Sequence, residues 1–389
     1  MSSALAPRLI LVTRETEYEG LLTKHATRGQ AEAFLRQRSP ESSGQTLEEL
    51  DARRAHIAAL LAEIRAAVPR GWRIASVRRA ELDRFLFGPE DVVVAVGQDG
   101  LVANVAKYLS GQPVIGVNAD PVRNAGVLVP HTAAAAAAML PLAAAGTLRT
   151  EPRTMVHAEL DNGQTLLALN EVFVGHSSHQ SARYSLIYSG REEAQSSSGL
   201  IIATGTGATG WALSISRATG VTLTLRPDEP AAMFMVREPW PSRATGASIV
   251  SGRLGENDTL LIVSRMNEGG VVFADGIEGD RLDFAWGRTL RISISRQHLN
   301  FVPGNKPTSP IADADIVPKP TPRSGSTRSR LSQPGVAPAS TATAKPMGWR
   351  ESWSGRRRRW TWIMLLLAGV MLALSIYTYM SLHYRSPVL

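Results

Sequence analysis

Residues 91–101 read DVVVAVGQDGL, and this run constrains the chain most. Five consecutive apolar residues, 92–96, leave no polar face for solvent, as expected of a parallel strand covered on both sides. The strand runs into Gly97-Gln98-Asp99-Gly100 and then into a helix. A glycine turn at that junction lets backbone N–H groups approach a phosphate, and the helix N-terminus favours negative charge. Asp99 falls at the carboxyl end of the strand, where open α/β sheets bind their ligands. It could act as a general base or orient a sugar hydroxyl; equally, it could only cap the helix that starts near Leu101.

Around this run the first part of the chain alternates strands and helices. Residues 9–12, 72–76, 91–96 and 113–117 read as strands, with helices over 31–37, 47–68 and 101–109. That alternation predicts a doubly wound α/β domain over 1–130. Beyond residue 155 the apolar runs shorten and turns multiply. Strands are expected at 155–160, 165–173, 184–189, 199–203, 221–225, 259–264, 270–273 and 290–295, with one helix over 207–218. The segment 131–302 is therefore expected to be a β-rich domain, with TAAAAAA at 132–138 as an interdomain helix.

The net charge of +8 invites a nucleic-acid reading, but its distribution argues against one. Of the 42 Lys+Arg and 34 Asp+Glu, 12 and 3 lie from residue 303 onward, leaving 30 and 31 in 1–302. The body is nearly neutral, and nucleic acid is not an expected partner. Residues 303–355 are rich in Pro, Ser, Thr and Ala, a composition that predicts a disordered linker. From Trp360 to Leu382 no residue carries a formal charge, enough length for one transmembrane helix. Arg356 to Arg359 precede it, so the positive-inside rule keeps the main body in the cytoplasm. No signal peptide is recognised at the start. The expectation is a single-pass C-terminal membrane anchor. The chain has no cysteine, which excludes disulfides, thiolate metal sites and cysteine nucleophiles.

Three further segments carry candidate chemistry. GLIIATGTGATGW at 199–211 is a second strand–turn–helix, with Thr204, Thr206 and Thr209 interleaved with Gly205, Gly207 and Gly210. Small hydroxylated residues and bare backbone suit a ribose or phosphate cradle. Asn170-Glu171 interrupts an apolar strand, and such a pair must be hydrogen-bonded to protein or ligand. Asp275-Gly276 reads as a hairpin turn. His176 and His179 are three apart, but no third ligand stands at zinc spacing, so no protein metal site is expected.

In this order the segments resemble the NAD kinase family, within the larger NAD kinase/diacylglycerol kinase-like superfamily. VGQDG stands where the family has G-G-D-G, PVIGVNADP follows, and LNEV and TGTGATGW match the Asn-Glu motif and the threonine/glycine loop. VREP and VVFADGIEGDRLDFAWG continue the likeness, closer to the mitochondrial-type enzymes. The resemblance implies that Asp99 activates or orients the 2′-hydroxyl of the NAD adenosine ribose. It implies that Gly97, Gln98, Gly100, Asn118, Asn170, Glu171, Thr204, Thr206, Gly207, Thr209, Trp211 and Asp275 bind nucleotide. It also implies NAD or NADH as acceptor, ATP or polyphosphate with Mg2+ as donor, and a homo-oligomer. Gln98 in place of the second glycine is the departure. If a glycine is needed there for φ > 0, or to let backbone come close to a phosphate, glutamine would strain or block the loop. Two alternatives accordingly stand beside the kinase: a kinase of a sugar or lipid hydroxyl, and a silent NAD(P) sensor.

Overall fold

A computed structural model describes residues 6–38, 46–222 and 224–304, all within one compact unit spanning 1–312. The anchor expected at 360–382 and all but the first two residues of the expected linker lie outside the described residues. Among the described residues no helix is long and apolar enough to cross a membrane.

The N-terminal part holds strands β1 (Arg8–Thr13), β2 (Arg73–Arg78), β3 (Asp91–Gly97) and β4 (Pro113–Asn118). Helices α1 (Glu17–His25), α2 (Arg28–Arg38) and α3 (Leu47–Ala66) separate the first two strands. Helix α4 (Asp99–Ala106) joins β3 to β4, and α5 (Ala133–Ala144) follows β4. With β5 (Glu151–Arg153) and β18 (Leu299–Phe301) they form a sheet of order β2-β1-β3-β4-β18-β5, parallel except for β5. All seven residues of β3 are buried, as the apolar run requires. The edge strand β2 carries Arg73 and Arg78, which discourage further pairing. At the other end of β3, the Asp91 carboxylate accepts from Nε and Nη2 of Arg8, each at 2.7 Å, and fixes the register of β1.

Helices α3 and α5 cover one face through Ile64, Ala136 and Leu140; α4 covers the other through Leu101, Val102 and Val105. Helix α4 is buried at every residue from Leu101 to Ala106, which explains a sequence apolar on every side but for Asn104.

The remaining strands form two antiparallel sheets. One is ordered β10 (Arg191–Ser197), β9 (Ala182–Tyr188), β14 (Leu260–Ser264), β17 (Thr289–Ile294), β6 (Val156–Leu160), β7 (Thr165–Ala168). The other runs β13 (Ser251–Leu254), β12 (Ala232–Val236), β11 (Leu200–Thr204), β8 (Glu171–His176), β15 (Gly270–Ala274), β16 (Ile277–Asp283). Their inner faces share one core with Tyr184, Ile202, Phe234, Ile262 and Phe284. The outer face of the second sheet is covered by α6 (Trp211–Thr219), through Ala212 and Ile215 against Ile201 and Met235.

The α/β-plus-β-rich architecture agrees with the sequence reading, but helix α1 and strands β10, β12, β13 and β16 were not expected, and other elements differ. The division at residue 130 does not follow the sheets: α5 packs on the parallel sheet, and β5 and β18 join that sheet from 151–153 and 299–301. The alanine-rich helix is thus a layer of the first domain. The strand expected over 165–173 is broken at Leu169-Asn170, where the chain passes from one sheet of the sandwich to the other. The described residues of 221–225 are not in a strand. The helix expected over 207–218 begins as a 3-10 turn at Gly207–Thr209 before α6.

Candidate functional site

Register brings Gly97 opposite Asn118 at the carboxyl ends of β3 and β4. The loop after Asn118 folds back along β4 so closely that a Cβ on Gly116 would stand 1.9 Å from the Leu128 carbonyl oxygen. Gly126, at φ +72°, makes the reversal and lies against the Asn118 side chain. Asn118 Nδ2 donates to the Asn124 carbonyl at 3.2 Å, and its Oδ1 accepts from the Asp120 amide at 3.0 Å. The returning loop then meets Asp99. Its Oδ1 accepts from the amides of Leu128 at 2.7 Å and Val129 at 3.2 Å, and Oδ2 from Val127 at 3.2 Å. Asp99 is the first residue of α4 and does not cap it. Gln98 holds the N-cap position and makes no side-chain cap bond.

Gln98 sits at φ −111°, ψ 167°, an extended conformation open to any L-residue, with its side chain exposed. The strain expected of a glutamine here is absent. Gly100 has open space where a Cβ would stand. Gln98→Gly is accordingly expected to relieve no strain and to cost at most about 1 kcal/mol of stability, which thermal melts of the two proteins check.

The second half of the site is organised by Asp275, which is 7% exposed and has φ +51°. Its carboxylate accepts from three successive amides: Leu169 at 2.9 Å, Asn170 at 2.7 Å and Glu171 at 3.2 Å. These amides lie where the chain leaves β7 for β8. The apparent hairpin turn is therefore a clamp that sets the Asn-Glu pair. Thr204 holds the pair from the other side. Its amide donates to the Asn170 carbonyl at 2.9 Å and its hydroxyl to the Leu169 carbonyl at 2.5 Å. The same Thr204 Oγ1 accepts from the amides of Thr206 and Gly207. Gly207 is packed on Asn170, where a Cβ would come within 2.2 Å of the Asn170 carbonyl oxygen. Thr206 is buried and its hydroxyl has no hydrogen-bond partner among the described residues. Thr209 is exposed, its hydroxyl 3.5 Å from the Thr206 carbonyl.

Electrostatics single out the two acids. Burial, reinforced by the Asp275 charge, pushes the Glu171 carboxyl up to about 7. Burial pushes Asp275 up to about 6, against the three amides that favour its charged form. A carboxyl whose folded pKa lies above its ordinary value of 4.5 keeps a proton that the unfolded chain has released. Its contribution to stability therefore falls as pH rises from about 4.5 to about 7. Glu171→Gln is expected to remove that part of the slope, read as the difference between the two proteins' melting profiles across this window.

Trp211 lies beside this region. Its ring stacks on Phe173 at 5.7 Å and 12°, Phe273 lies 4.8 Å from Phe173, and the Arg237 guanidinium stands 5.1 Å above the Trp211 ring. These residues line a hollow of about 520 Å³, with His176 and Arg281 at its wall. The volume lies in the range of small-molecule sites. His176 accepts from the Ser178 amide at 3.0 Å through Nδ1. Among the described residues no group of three or more His, Cys, Asp or Glu could hold a metal ion.

The structure thus gathers the predicted residues into two halves, Gly97–Asn118 on the parallel sheet and Asn170–Asp275 on the sandwich. Sequence reasoning missed the connection between them, Asn104, and the aromatic hollow. Asn104 did leave a signal, as the one polar residue inside LVANVA.

No family model matches the chain. It is 29% identical over 211 residues to a probable NADH kinase of Oryza sativa subsp. japonica, covering 48% of this chain and 63% of the rice protein. It is 35% identical over 136 residues to an NAD kinase of Acidithiobacillus ferrooxidans, covering 32% of this chain and 44% of that one. The chain spans less than two thirds of the length of either relative. A crystal structure of an NAD kinase from Archaeoglobus fulgidus in complex with ATP aligns with a TM-score of 0.47 at 18% identity, covering 77% of this chain and 94% of that one.

Proposed function

We propose that this chain, a relative of the NAD kinases, transfers a phosphoryl group to the 2′-hydroxyl of the adenosine ribose of NAD or NADH, giving NADP(H). The observation that carries the reading is the pairing of two halves. One is a phosphate-approach turn whose Asp99 is aimed by three amides. The other is an Asn-Glu pair set in place by Asp275 and Thr204. The first half suits a hydroxyl that must lose a proton; the second suits the donors and acceptors of a nucleoside. Phosphoryl transfer asks of a protein chiefly positioning and charge neutralisation.

ATP or polyphosphate is the donor in this reading, with magnesium carried on its phosphates. Magnesium commonly takes only one or two protein carboxylates. The metal would neutralise charge on the transferring group. Gln98 in relaxed backbone favours an active loop over a silent sensor. The aromatic hollow beside Trp211 is suited to a flat ring. On the charge pattern of 356–382 the enzyme is also proposed to work on the cytoplasmic face of a membrane, anchored by residues 360–382, and as a homo-oligomer.

The test is turnover by the purified full-length chain with magnesium, ATP or polyphosphate, and NAD or NADH, with NADP(H) read by enzymatic cycling. NADP(H) formation is expected. Phosphorylation of a sugar or lipid hydroxyl instead, or NAD binding without turnover, would overturn the reading.

A further inference from the structure

From Leu101 to Ala106 helix α4 is apolar except for Asn104, and that residue is 4% exposed with both side-chain polar atoms engaged. Nδ2 donates to the Asp275 carbonyl at 2.7 Å. Oδ1 accepts from Arg79 Nε at 2.5 Å, and Arg79 Nη2 reaches the Gly276 carbonyl at 3.1 Å. Asn104 therefore links α4, whose first residue is Asp99, to the backbone of the residue whose carboxylate fixes Leu169, Asn170 and Glu171. We propose that Asn104, held by Arg79, is a positioning residue that sets the Asp99 half of the site against the Asn170-Glu171 half.

Three features argue for this over simple packing. A buried amide in an otherwise apolar interface costs free energy unless every bond is made, and here each atom finds a partner in a different segment. The bond goes to the carbonyl of Asp275, a non-glycine residue at φ +51°, so it bears directly on a backbone conformation that needs support. A separate clasp already fastens the far end of α4 to the same hairpin: the Tyr108 hydroxyl and Lys107 Nζ meet Asp280 at 2.7 and 2.6 Å. Holding the helix down does not require Asn104; setting the Asp275 turn does.

The proposal rests on the kinase reading for its kinetic consequence and stands apart from it for its structural one. The experiment compares full-length wild type, Asn104→Ala, Asn104→Asp and Tyr108→Phe by kinetics, melting and amide hydrogen exchange. Asn104→Asp keeps an acceptor for Arg79 but loses the donor to Asp275. Both Asn104 variants are expected to lower kcat on the order of 10- to 100-fold with KM for ATP little changed, and to speed exchange of the 169–171 amides. Tyr108→Phe should lower the melting temperature while leaving kcat and that exchange near wild type. If Asn104→Ala fails to fold, Arg79→Gln, which removes the half-exposed partner, carries the same expectation. Unchanged 169–171 exchange, or Asn104 variants that lose stability with kcat intact, would overturn the proposal. Wild type inactive on NAD but showing the exchange difference would count against the kinase reading and leave the linkage standing.

Discussion

Asp99→Asn is expected to lower turnover with NAD by about 10²–10⁴-fold, the usual range for removing a general base. The structure limits the accompanying damage. Two of the three amide bonds, from Leu128 and Val129, fall on Oδ1, and only that from Val127 falls on Oδ2. An asparagine with its carbonyl oxygen toward Leu128 and Val129 keeps the stronger pair and turns its amide toward Val127. The cost should be about 1–3 kcal/mol, that of one mismatched donor. NAD binding measured by calorimetry should survive, because Asn170 and Glu171 are fixed by other groups. Loss of binding in step with turnover would make Asp99 a loop fastener and not a reacting group.

The largest stability effect is expected at Asp275. Asp275→Ala strips the acceptor from three amides at once and leaves a β-substituted residue at φ +51°. With the orphaned donors, one buried and two half-buried, worth roughly 1–3 kcal/mol each at full burial, the loss should reach about 4 kcal/mol. For a body of this size that lowers the melting temperature by on the order of 10 °C. Asp275→Asn, which keeps one acceptor oxygen and suits the left-handed region, should lose about half as much. Equal losses in the two variants would contradict the clamp. Thermal melts of the two proteins decide it.

What the sequence made legible follows the reach of the interactions. The strand before Gly97 could be read because its burial is written in five adjacent residues, and the glycine turn follows at once. The threonine loop was readable for the same reason. Asp275 was not, since its function is exercised on amides 104 to 106 positions earlier in the chain, and Asp-Gly has an ordinary local explanation as a turn. The break at Leu169-Asn170 was marked only by the polar pair Asn170-Glu171, because apolar residues resume at Val172 and Phe173 on its far side. What ends the strand is Thr204 and Asp275 capturing the backbone. Strand β10, REEAQSS, has no apolar alternation at all. It is held by pairing with β9 and by Glu193, whose carboxylate accepts from the amides of Ser248 and Ile249. The alanine-rich helix was legible as a helix but not in its place, because seven small residues fit against a sheet as readily as between domains.

The central claim is phosphorylation of one particular hydroxyl, and the position of the phosphate in the product tests it most directly. Full-length protein is incubated with magnesium, ATP and NAD, and the purified product is analysed by phosphorus NMR. The account predicts a new phosphomonoester coupled to the 2′ proton of the adenosine ribose, absent with Asp99→Asn. A phosphate on any other hydroxyl, or ATP consumed with NAD unchanged, would contradict it.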